Sequence, residues 1–150
     1  MIPLEEFAST VFGLPLHPLV VHAVVVLIPL ALVVAVIVAF SDSWREKLAL
    51  PLLVLVVIST GSAFLAKTSG ESLQEMLPGS QAIEEHAELG DLAPWWVLLF
   101  AVVTGIWYWR QRSGQVAWWL RGLLLLAGLA ATAVVLRVGH LGAIASWGDL

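Results

Sequence analysis

The chain has 150 residues, 60% of them hydrophobic and 12% charged, about half the charged share of a soluble domain, and its mean hydropathy of +0.95 excludes a water-soluble globule. The absence of cysteine excludes disulfides, thiolate metal sites, iron–sulfur ligation and a cysteine nucleophile. A formal charge of −4 without lysine and arginine stripes excludes a general nucleic-acid binder, and no phosphate-cradling glycine loop or Ser/His/Asp set stands out.

In chain order, Glu5 and Glu6 come first, with no basic segment before the apolar run that follows. That run is too long for a signal-peptide core, so the first helix is expected to be retained. Apolar segments at 16–40, 48–66, 94–109 and 116–138 approach or exceed the roughly 17 residues that a spanning helix needs. They predict an all-α fold: a single domain over residues 1–150 that crosses the bilayer as a four-helix bundle. The runs are too long for barrel strands and show no polar alternation.

Pro29 in the first segment predicts a kink, because its ring removes one backbone bond. The connections SDSWREK (41–47) and RQRSGQ (110–115) are short, which makes consecutive helices antiparallel neighbours. Residues 67–93 read as a longer polar outer loop with two short amphipathic helices, Ser69–Leu77 and Gln81–Leu89, around a Pro78-Gly79 turn. Asp91 and Pro94 then mark the start of the third span. The small residues 59–63 on the second helix, and Gly122, Gly128 and Ala131 on the fourth, predict close backbone approach. The eight tryptophans fall near span ends, as an interfacial belt does.

The charges divide unequally between the two ends. The end with the short connections holds Arg45, Lys47, Arg110, Arg112 and Arg121 against Asp42 and Glu46, whereas the other holds Lys67 and Arg137 against all remaining carboxylates. Basic residues favour the cytoplasm, so the expected location is the inner (cytoplasmic) membrane with both termini outside.

The four histidines are the informative polar residues. His17 and His22 open the first helix, His86 precedes the third and His140 closes the fourth, so an even number of crossings brings all of them to the outer side. His22 lies five residues after His17, about 7.5 Å along the axis and about 140° around it, so the two address different neighbours. Arg137, one turn before His140, needs an acidic partner at that depth, with Glu71 and Glu75 as candidates or an anionic group of a ligand.

Two chemistries suit this set. In one, His22 and His140 supply axial ligands to haem b, with His17, His86 and Arg137 completing the cofactor site. In the other, His17, His22, His86 and His140 join Glu71, Glu85 or Glu88 in a nonhaem transition-metal site. A third reading has no cofactor: the imidazoles cap helices or bond to carbonyls, and the chain is an accessory or scaffold subunit. The expected partners are the lipid bilayer and a membrane redox complex or a second copy of the chain, and nucleic acid is not among them.

The segments LHPLVVH (16–22), AKTSGESL (66–73), HAELGD (86–91) and RVGHLGA (137–143) followed by Trp147 resemble a family of small bacterial four-span membrane proteins, domain of unknown function 2231. The motif positions carried over are His17, Pro18, His22, Ser69, Gly70, Glu71, His86, Gly139, His140 and Gly142. Some members look fused to Rieske-type iron–sulfur domains, which implies electron transfer and favours the haem reading. Ala23-Val24 departs from the aromatic residue and proline that many relatives look to have after the second histidine.

Overall fold

The computed structural model describes residues 10–11, 14–114 and 117–148. Glu5, Glu6 and the expected start of the fourth span at Val116 lie outside the described residues. A two-residue antiparallel pairing of β1 (Thr10–Val11) with β2 (Leu14–Pro15) leads directly into the first helix. Four long helices follow: α1 (Leu16–Phe40), α2 (Asp42–Gln74), α3 (Gln81–Arg112) and α4 (Trp118–Trp147). Each is long and apolar enough to cross a membrane.

Helix α1 packs on α2 and α4, and α3 packs on the same two, so α1 and α3 face each other diagonally across the bundle axis. The seam between them follows helical periodicity. Ile28, Ala31, Ala35 and Val38 of α1 meet Leu52, Val56, Ser59 and Ala63 of α2, Val97, Phe100, Val103 and Trp107 of α3, and Leu120, Leu124, Ala127 and Ala131 of α4. Steps of three and four keep one stripe per helix inward. The outward faces carry Val26, Leu30, Val33, Leu126 and Leu129, which are as apolar as the core because lipid replaces water outside. Ser59 and Thr104 sit in the seam with their hydroxyls donated to the carbonyls of Leu55 and Phe100, both at 2.7 Å, whereas the buried Thr132 hydroxyl has no partner among the described residues.

Of the small-residue patches, Gly128 and Ala131 are buried, and a side chain at Gly128 would meet Phe100 at 3.0 Å and Leu32 at 3.1 Å. Gly122 and Gly61 have open space where a Cβ would stand. Both fall off the inward stripe, so packing accounts for only part of each patch.

The outer loop is a correction to the sequence reading. Helix α2 continues to Gln74 and α3 begins at Gln81, so the two short helices are extensions of the spans and only residues 75–80 connect them. Pro94 lies inside α3 and is fully buried. The inward stripe explains this. Ile83, His86, Gly90, Ala93 and Val97 recur at helical spacing through the proline, and tertiary packing on both sides outweighs the one backbone bond it removes. Ser80 caps α3, its hydroxyl accepting from the Ile83 amide at 3.3 Å. The connection turns at Glu75 and Met76 rather than at Pro78-Gly79, where the sequence suggested it. At 1.5 Å per residue the 33 residues of α2 span about 50 Å, so about 20 Å of helix rises beyond a hydrocarbon layer about 30 Å thick.

At the opposite end Ser41 alone separates α1 from α2, in place of the longer connection expected there. Arg45 donates to Val38 O at 3.0 Å and Arg121 to Ala39 O at 3.4 Å. Two guanidiniums thus occupy the last carbonyls of α1, where the helix dipole is negative.

Candidate functional site: a histidine cleft

The site sits where the extended ends of α2 and α3 meet the first turn of α1 and the last turns of α4. His17, in the first turn of α1, bonds through Nδ1 to the backbone carbonyl of Ala66 on α2 at 2.8 Å. One helical turn beyond that carbonyl stands Gly70, where a Cβ would come within 2.9 Å of both Cε1 and Nδ1 of the ring. His86 of α3 repeats the arrangement on α4: Nδ1 bonds to Val138 O at 3.1 Å, and a Cβ at Gly142 would lie 3.0 Å from its Cε1. In each case a helix offers a carbonyl at one position and a glycine four residues later, and the imidazole lies flat in the gap. The two rings then meet edge to face, with centroids 5.9 Å apart. Two side chains therefore tie α1 to α2, α3 to α4, and the diagonal pair α1 and α3 to each other.

A carbonyl oxygen only accepts, so the Nδ1 atoms of His17 and His86 carry the proton and donate it. In a neutral ring bonded this way Nε2 is the unprotonated nitrogen. His22 also bonds through Nδ1, to the carbonyl of Pro18 within α1, and the residue is exposed. His140 is also exposed, on α4. All four histidines and Glu71 line one cleft of about 1180 Å³, walled otherwise largely by valine, alanine and leucine of the four helices. Its volume is at the upper end of what small-molecule sites offer.

Glu71 does not point a free carboxylate into that space. Lys67 holds it at 2.7 Å and holds Asp91 of α3 at 2.6 Å, which makes Lys67 a cross-helix bridge at the edge of the cleft. Arg137 stands apart. It lines a separate hollow with Glu85 and Glu88 of α3 rather than Glu71 or Glu75. Among the described residues, no three of histidine, aspartate and glutamate converge as a metal-binding group. The sequence reading had not anticipated the two glycine seats, and the spacing Ala66…Gly70 and Val138…Gly142 is the signal that could have found them.

The profile of the family described as "Predicted membrane protein (DUF2231)" matches residues 13–149. The chain belongs to the DUF2231 family. No curated protein and no solved structure matches it. As a DUF2231 member it is an integral membrane protein, and all four histidines, both glycine seats and the Lys67 bridge fall within the matched segment.

Proposed function

We propose that this DUF2231 protein holds a redox cofactor, haem b, in the histidine cleft and passes electrons to a partner at the outer face of the bacterial inner membrane. The observation that carries the reading is the gathering of four imidazoles around one apolar-walled cleft, three of them with Nδ1 bonded to a backbone carbonyl. That bond is the one by which ligating histidines fix their tautomer and leave Nε2 for a metal.

Donor number favours haem over a nonhaem ion. A haem iron brings four porphyrin nitrogens and takes one or two from the protein, whereas a bare transition metal takes three or more. His22 and His140 would hold the haem iron, since both line the cleft and are exposed, while His17 and His86 are seated against glycines and each other. The charge asymmetry supports an orientation with the Arg45, Arg121 end in the cytoplasm and the cleft outside.

A second reading, a nonhaem metal ion at His17 and His86, takes its support from the contact of the two rings, whose centroids lie 5.9 Å apart. An absorption spectrum of detergent-purified protein after haem reconstitution separates the readings. A Soret band lost in His22→Ala and His140→Ala supports haem. A colourless, folded preparation overturns it, and metal retained by elemental analysis and lost in His17→Ala supports the second reading instead.

A further inference from the structure

The second hollow lies on the outside of the bundle, between α3 and α4, and encloses about 330 Å³. Its lining is Glu85, Glu88, Leu89, Leu92, Arg137 and Leu141. Arg137 is exposed and, among the described residues, has no carboxylate within 4.0 Å, although two carboxylates share its hollow. Glu85 accepts from Gln81 at 2.8 Å. The next turn of α3 towards the middle of the bundle carries Trp95 and Trp96, 58% and 40% exposed. Exposed tryptophans mark headgroup depth, so the hollow sits at the level of lipid phosphates and ammonium groups.

We propose that this hollow binds the headgroup of a zwitterionic, primary-amine phospholipid, phosphatidylethanolamine. Charge layout selects that occupant. The guanidinium is a planar fork suited to phosphate oxygens, and a phosphate there replaces the carboxylate contact that Arg137 lacks. The two glutamates take the ammonium, which has three N–H donors to offer. Leu92, half exposed, and Leu141 meet the glycerol and upper acyl chain. A choline headgroup has the same net charge and no N–H, so it forfeits the bonds to the glutamates. A glycerol headgroup brings no cation and leaves both carboxylates facing an anionic lipid. The site adjoins the cleft only through Glu88, which borders both; its other five residues do not line the larger cavity.

Native mass spectrometry of the full chain, titrated with chain-matched phosphatidylethanolamine, phosphatidylcholine and phosphatidylglycerol, tests the assignment. The wild type is expected to retain the ethanolamine lipid about tenfold more than either of the others. Arg137→Ala lowers that retention about tenfold, and the double variant Glu85→Gln/Glu88→Gln brings the ethanolamine-to-choline ratio close to one. Circular dichroism checks that each variant is folded, and the ratio in the glutamine variant stands as a test even if Arg137→Ala does not fold. Equal retention of the three lipids by the wild type, unchanged retention in Arg137→Ala, or an unchanged ratio in the glutamine variant overturns the proposal.

Discussion

Replacing Gly70 by alanine is the most direct probe of the histidine clasp. The new methyl would stand 2.9 Å from Cε1 and Nδ1 of His17, inside van der Waals contact, so the ring must leave its seat and with it the 2.8 Å bond to Ala66 O. Unmaking a partly buried hydrogen bond destabilises by about 1–3 kcal/mol. Alanine also favours the helix over glycine by about 1 kcal/mol, which partly masks the loss. Gly61→Ala on the same helix isolates the difference, since nothing lies within 4 Å of its Cβ position and only the helix-forming gain remains. The stability gap between the two variants should therefore be about 1–3 kcal/mol, with Gly61→Ala the more stable, read by reversible denaturant unfolding in mixed micelles. Nitrogen NMR of labelled histidine gives a second readout: the Nδ1–H tautomer of His17 is populated in the wild type and in Gly61→Ala, and is lost or mixed in Gly70→Ala. Equal stabilities and an unchanged His17 signal would refute the view that the glycine exists to seat the ring.

Two further outcomes follow from the packing and from the bridge. Gly128→Leu forces side-chain atoms into Phe100 and Leu32, already at 3.0 and 3.1 Å from the Cβ position, and should destabilise by at least about 1–3 kcal/mol. Gly122→Leu, with open space, should leave unfolding unchanged within about 0.5 kcal/mol. A double-mutant cycle of Lys67→Met and Asp91→Asn should give a coupling of only about 0.2–1 kcal/mol that shrinks as salt is raised, because Asp91 is 56% exposed; a coupling that does not respond to salt would show the bridge to be shielded from solvent.

The sequence reading and the structure part company at identifiable residues. Four apolar stretches of spanning length make four helices because the bilayer leaves the backbone few other ways to satisfy its hydrogen bonds, and that constraint is local to each stretch. The same reading broke the chain at Pro94 and at Lys67, where composition turns polar, and the structure carries α2 and α3 straight through. Local signals for a helix start are weaker than a stripe of small residues that stays in phase with the core on both sides of the proline.

The site divides in the same manner. That His17, His22, His86 and His140 belong to one end follows from counting crossings, and they do line a common cleft. Which imidazoles touch does not follow from counting. The ring contact present is His17 with His86, and Arg137 shares its hollow with Glu85 and Glu88 rather than with Glu71 or Glu75. Composition and hydropathy determined the solvent, the number of helices and the end at which the polar groups gather, because each depends on a single segment and the lipid around it. The rotation of each helix, the seats at Gly70 and Gly142, and the Lys67 bridge were decided only by tertiary structure, because each needs a backbone carbonyl, a missing side chain or a carboxylate supplied by a different helix or a different turn, brought to within about 3 Å by packing.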